Sequence, residues 1–195
     1  MTNYASEEEV RKRDLPLPSP TSQEVSFALQ VSKDIIDMWC GQVFLKTAGI
    51  EFIVDGNGGN RYVFGQRLND VFNLYVNDSE IPSASIINFS DHNIGEIGLK
   101  DGYQFTRGSM NVKLVAEIGY AETPFAVREA SAHLAALILT RQLFSGKPSV
   151  FDTKSERLLD YSKSSLVPSE INGIIESDVY LYGLLRPYRV VGVGV

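Results

Sequence analysis

Hydrophobic positions along the chain change period twice, and those changes divide it. Behind Thr21 and Glu24, spaced as a capping box, apolar residues recur at helical spacing to about Phe44: Val25, Ala28, Leu29, Ile36, Trp39, Cys40 and Val43. A second ridge, Phe27, Val31 and Met38, runs along the flank of that stripe at spacings of four and seven, which makes the apolar surface wider than a monomer core needs. From Ile50 to about Tyr120 the period becomes two, and strands are expected over residues 51–54, 61–64, 71–76, 85–88, 94–99 and 111–120. The last is the clearest, with Val112, Leu114, Ala116 and Ile118 on one face and Lys113 and Glu117 on the other. Helical spacing then returns from Thr123 to Gly146, where Thr123 can cap, Pro124 suits the first turn and Gly146 can end the helix. Val127, Ala130, Leu134, Leu137 and Ile138 lie on one side of it and Phe125, Leu139 and Leu143 on the other, leaving a polar strip of Glu129, His133 and Thr140. A helix apolar nearly all round needs neighbours on nearly every side, and another subunit is expected among them.

The flanks read differently. Residues 1–20 form an arm, a short helix opened by the Ser6 and Glu9 capping box and then the stiff connector DLPLPSP. Residues 147–167 are polar and irregular, and a final helix is expected between Pro168 and Arg186, stopped by Pro187. The tail YRVVGVGV then sets Val191, Val193 and Val195 on one face, opposite Val190, Gly192 and Gly194. The expected layout is an α+β chain with a helical core over 21–49 and 121–187, an inserted antiparallel β subdomain over 50–120, and extended terminal arms at 1–20 and 188–195.

Composition narrows the function without defining it. With 195 residues, 44% of them apolar, the chain can bury one core or a core plus a small insertion. Its most apolar run, Leu134 to Leu139, is far too short to span a bilayer, and no secretory signal is visible. Cys40 is the only cysteine, so no internal disulfide or cysteine metal knuckle can form, and a reducing place of synthesis is the simple expectation. A net charge of −6 argues against a groove that grips nucleic acid.

Candidate chemistry is weak throughout. In the DGNGGN loop, Asp55 and Asn57 fit the first and third positions of a calcium loop, but Gly59 and Asn60 fail the fifth and sixth, so a turn is the better reading. His92 in a loop and His133 on a helix build no triad or ligand set. Ser109 lacks the glycine of a nucleophile elbow, and the GNGGNR glycines do not lie between a strand and a helix as a phosphate loop requires. The acidic pairs Glu7 with Glu9 and Asp152 with Glu156 read as solvated faces. No catalytic, cofactor-binding or metal-binding residue is expected.

The order of segments carries more than any one motif. YASEEEVRKR, a helix ending IIDMWCGQVF, the strand pair EFIVDGNGGNRYVF, then DGYQFTRGSMNVKLVAEIGYAETPFAVREASAHLAALIL, TKSERLLDYSKSSL and a closing LLRPYR together resemble the head-to-tail adaptor (connector, head-completion) proteins of tailed bacteriophages. The resemblance covers nearly the whole chain. It implies a helical bundle with a β insertion, assembled as a homo-oligomeric ring, twelvefold to match the portal, in the virion neck after synthesis in the host cytoplasm. It implies no enzyme, no cofactor and no membrane partner. The implied partners are the portal, a stopper or tail protein, and double-stranded DNA passing through the channel without sequence-specific binding. Phe27, Val31, Met38 and Leu139 are then expected at subunit boundaries, Tyr188, Val190, Val191, Val193 and Val195 at the portal, and the β insertion toward the tail. The alternatives are another neck or tail-completion protein, or a small hydrolase or carbohydrate-binding module using the β insertion as its pocket.

Overall fold

A computed structural model describes residues 3–13, 15, 19–89, 94–144 and 168–190. The chain divides into two compact units, one made of Met1–Cys40 with Pro124–Arg189, the other of Gly41–Thr123 with Val190–Val195. Helices and antiparallel sheets are both present, so the fold is α+β.

The first unit is helical. α1 (Glu7–Arg11) opens on the expected capping box: the Ser6 amide donates to Glu9 Oε2 at 2.7 Å and the Glu9 amide to Ser6 Oγ at 3.2 Å. α2 (Ser22–Cys40) opens on the second box, with the Thr21 amide donating to Glu24 Oε2 at 2.7 Å and the Glu24 amide to Thr21 Oγ1 at 3.3 Å. It ends four residues before the expected Phe44, because Gly41 turns the chain at φ +69°, a conformation glycine adopts without strain. α3 (Phe125–Phe144) packs against α1, α2 and α5, which cover part of its all-round apolar surface and leave Phe125 exposed. The N-terminal segment helps: Tyr4, Ala5 and Val10 are buried, so this stretch packs as part of the unit where an arm was expected. The expected final helix is two helices, α4 (Pro168–Ser177) and α5 (Val179–Leu185). Asp178 separates them by capping the second, accepting from the Tyr180 and Leu181 amides at 3.0 and 3.1 Å. A 3-10 turn over Arg186–Tyr188 follows, with Pro187 at its start.

The second unit holds all seven strands of the described residues: β1 (Thr47–Gly56), β2 (Arg61–Val63), β3 (Leu68–Val76), β4 (Ser79–Glu80), β5 (Ile86–Asn88), β6 (Glu96–Leu99) and β7 (Gly108–Ile118). They build a four-stranded sheet in the order β1-β7-β3-β4 and a three-stranded sheet in the order β2-β6-β5, antiparallel throughout. Strict alternation drives this: Val112, Leu114, Ala116 and Ile118 of β7 all point into one core shared with Leu74, Val76, Ile97, Leu99 and Phe105. Gly119, at φ +89°, lets the chain leave β7 beside Leu45, whose carbonyl oxygen would stand 2.2 Å from a Cβ at that position.

Candidate assembly surfaces

On the helical unit the expected interface ridge separates into two kinds of residue. Val31 (9% exposed) and Leu139 (1%) are buried among the unit's own helices, so they offer little surface to a neighbour. Phe27 is half-buried and Met38 is 43% exposed, which leaves these two as the outward part of the ridge. Other exposed apolar side chains lie at helix starts, Phe125 on α3 and Val179 on α5. Sequence periodicity placed Val31 and Leu139 on the correct helices, but it cannot tell which flank a neighbouring helix will cover.

The polar strip of α3 is an ion-pair and hydrogen-bond network. Glu129 pairs with Arg13 and accepts from the Tyr180 hydroxyl at 2.8 Å. His133 meets the Arg13 guanidinium through Nδ1 at 3.4 Å and Asp178 Oδ2 through Nε2 at 3.2 Å. The Arg13 guanidinium first, and the Tyr180 hydroxyl second, hold the Glu129 carboxyl below its ordinary value, and the Glu129 bond raises Tyr180 in turn. Burial alone would raise Asp178, but the Leu181 amide, His133 and the Tyr180 amide outweigh it and leave that carboxyl low. These groups stand beside an open pocket of about 370 Å³ lined by Lys12, Arg13, His133, Ala136, Leu137 and Thr140. Glu129 and His133 are each engaged by side chains from other elements, while Thr140 Oγ1 donates to Ala136 O at 2.8 Å, an arrangement suited to fastening the segment around Arg13 and α5 onto α3.

Other sequence candidates are structural as well. Cys40 is buried, and desolvation first, with the nearby Asp37 charge second, pushes its thiol up to about 12. Glu7 forms an ion pair with Arg11 at 2.7 Å, and Glu9 belongs to the capping box. His92, Asp152 and Glu156 lie outside the described residues.

On the β unit, the DGNGGN loop uses its oxygens internally. Asp55 Oδ1 accepts from the Met110 amide at 2.6 Å, and Asn57 Oδ1 accepts from the Gly59 amide at 2.8 Å. Asn111, expected only as the first residue of a strand, ties the loop down: its Oδ1 accepts from the Gly56 amide at 2.8 Å while its Nδ2 donates to Thr106 O and Asn77 Oδ1. Gly56 permits this closeness, since a Cβ there would stand 1.8 Å from the Thr106 carbonyl oxygen. Ser109 lies exposed in the first residues of β7. The outer face of the larger sheet exposes Ile53 among Glu51 and Lys113, which pair at 3.0 Å, and Phe72 on β3 and Met110 near the start of β7 are exposed as well.

At the C-terminal end, Tyr188 belongs to the 3-10 turn and Val190 is half-buried in the β unit, with its carbonyl oxygen 3.7 Å from where a Gly41 Cβ would stand. Arg189 is pinned in the helical unit, its guanidinium over the Trp39 ring at 4.7 Å and paired with Glu176 at 3.1 Å. Val191, Val193 and Val195 lie outside the described residues.

Both units together have the fold of proteins from the neck of a phage-like particle. The chain is similar to one from the neck of an empty GTA (gene transfer agent) particle computed with C6 symmetry, at 13% identity and a TM-score of 0.59 over 98% of this chain and 92% of that one. It is also similar to a chain from the neck of a native GTA particle computed with C12 symmetry, at 12% identity and a TM-score of 0.54 over 89% and 85%. No family model matches the chain, and no curated protein matches it by sequence.

Proposed function

We propose that this chain is a structural neck protein that joins head to tail in a phage-like virion, assembling as a homo-oligomeric ring with the genome passing through its centre. The observation that carries this reading is the fold match over 98% of this chain and 92% of a neck protein, which takes in the helical and the β unit alike. The neck structures it resembles were computed with C6 and C12 symmetry, and twelve copies would match the portal. A helical bundle would form the wall of the ring, with Phe27 and Met38 leading the lateral contact and Val31 and Leu139 supporting it from the core. The segment of Tyr188, Val190, Val191, Val193 and Val195 meets the portal, and the β unit meets a stopper or tail protein. The net charge of −6 suits a channel that lets DNA slide, because phosphate affinity comes from clustered cationic contacts. The role needs neither catalysis nor a cofactor.

Light scattering and negative-stain imaging of the purified chain, alone and mixed with portal protein, test this. Closed rings in either sample are expected. A monomer that persists in both overturns the reading.

A further inference from the structure

Within the β unit the two sheets end in very different edges. β2 and β5, the edges of the smaller sheet, run three residues each, and β4, one edge of the larger, runs two. Short edges of this kind resist pairing. β1 forms the other edge with ten residues, pairs only with β7, and leaves its second row of amides and carbonyls without a strand among the described residues. Bulges at Thr47/Ile50 and Val54/Gly56 bracket a regular stretch from Ile50 to Val54. The side chains there show that the core continues past this edge. Ile50, Phe52 and Val54 are half-buried, yet each lies directly opposite a fully buried residue of β7, respectively Ala116, Leu114 and Val112. Burial is lost across a single strand, so one more strand beside β1 would satisfy the open backbone and cover the three side chains together.

The chain holds one segment outside its described residues that fits this place. Val190 is the last residue described before the tail, and it already lies in the β unit. Beyond it, Val191, Val193 and Val195 alternate with Gly192 and Gly194, without proline or charge, over a length that matches Ile50–Val54 at about 3.3 Å per residue. With the valines turned to the core face beside Ile50, Phe52 and Val54, the glycines fall beside Glu51 and Ile53, where no added side chain would crowd the outer row. Pairing with β2, β4 or β5 of another copy cannot fill the site, because those edges run only two or three residues.

We propose that the free edge of β1 receives residues Val190–Val195 of a neighbouring copy as an added strand, so that the C-terminal segment is exchanged around the assembly. The ring reading above supplies the identity of the neighbour. A strand laid from one copy onto the next is a heterologous contact, the kind that closes into a ring when the rotation is right. The added strand keeps its own second edge open, and so it still presents backbone to the portal.

Single-cysteine exchange tests this in the full chain, whose native Cys40 is buried. Chains carrying Ile53→Cys are mixed and oxidised with chains carrying Gly194→Cys, which stands opposite Ile53 in a parallel strand, and separately with chains carrying Gly192→Cys, which stands opposite it in an antiparallel one. A covalent heterodimer on a non-reducing gel, from one of the two mixtures and from no chain alone, is expected. A cross-link confined within one chain of either double variant, Ile53→Cys/Gly194→Cys or Ile53→Cys/Gly192→Cys, places the tail on its own β1 and overturns the exchange. Self-dimers of Ile53→Cys place β1 against β1 and overturn it too. Rings seen by light scattering without the mixed cross-link defeat the exchange while leaving the ring intact, whereas a mixed cross-link without closed rings leaves the exchange standing and counts against the ring.

Discussion

Ser32 Oγ lies 2.9 Å from Ser131 Oγ in the buried seam between α2 and α3, joining residues 99 positions apart. The proton of Ser32 goes to Leu29 O at 2.8 Å, so Ser131 is the donor to Ser32. Ser32→Ala leaves the Ser131 hydroxyl buried without its acceptor, which costs about 1–3 kcal/mol, whereas Ser131→Ala leaves Ser32 bonded to Leu29 and costs about 0.5–1.5 kcal/mol. The double variant is expected to lose less than the sum, because both changes act on one bond. Urea titration of the four chains measures the coupling, and strict additivity would show that the two hydroxyls do not interact.

Acid should loosen the network on α3. Glu129 and Asp178 both titrate below their ordinary values of 4.5 and 3.8 in the folded chain. A carboxyl with a lowered folded pKa contributes stability that is full above its unfolded value and disappears as the pH falls through the folded one. The helical unit is therefore expected to lose stability below about pH 4. Glu129→Gln should be less stable than the parent at pH 7, with the difference shrinking on acidification. Asp37 runs the other way, since burial raises it above its ordinary value against the bonds from Tyr4 and Lys33. Thermal melts of parent and variant across pH 2.5 to 7 read the slope, and parallel curves would sink the assignment.

Met38 and Val31 were one ridge in the sequence and have different surroundings in the fold. Met38→Asp places a charge at a position 43% exposed, so the melting temperature should hold while ring assembly fails. Val31→Asp places one at 9% exposure and should unfold the helical unit, at a cost of several kcal/mol. A Met38→Asp chain that still forms rings would remove this ridge from the boundary.

The strands were legible because alternation is a local signal: Val112, Leu114, Ala116 and Ile118 could share only one face, and all four are buried. Both capping boxes were legible for the same reason. What was not legible depended on partners distant in sequence. Nothing around Tyr4 or Val10 announces that an apparent arm will be covered, and Glu129 and His133 read only as a polar strip until Arg13, Asp178 and Tyr180 are brought to them. Asp178 closes the short polar run of Glu176 and Ser177 between two apolar runs, and its meaning as a break between α4 and α5 appears only when its carboxylate is seen capping the second helix. Among the assembly candidates, residue type identified apolar ridges, while their exposure was decided by which flank each helix turned to its own chain.

The C-terminal segment offers the sharpest separation of folding from assembly. Its boundary is set by Arg189, whose guanidinium stacks on Trp39 and pairs with Glu176, so removing that residue would disturb the helical unit itself. A chain ending at Arg189 keeps both contacts and loses only Val190–Val195. Its melting temperature should fall by less than the roughly 2–4 °C that 1 kcal/mol produces in a domain of this size, since the half-buried Val190 is the only described side chain removed. Portal binding should nevertheless disappear, because the backbone edge that this segment presents is the proposed contact. Restoring the segment with Gly192→Pro and Gly194→Pro should not restore binding, since proline takes amide donors from the strand while every valine remains. Co-purification with portal measures all three chains. Binding by the chain that ends at Arg189, at a level equal to the parent, would move the contact from the tail to the helical unit.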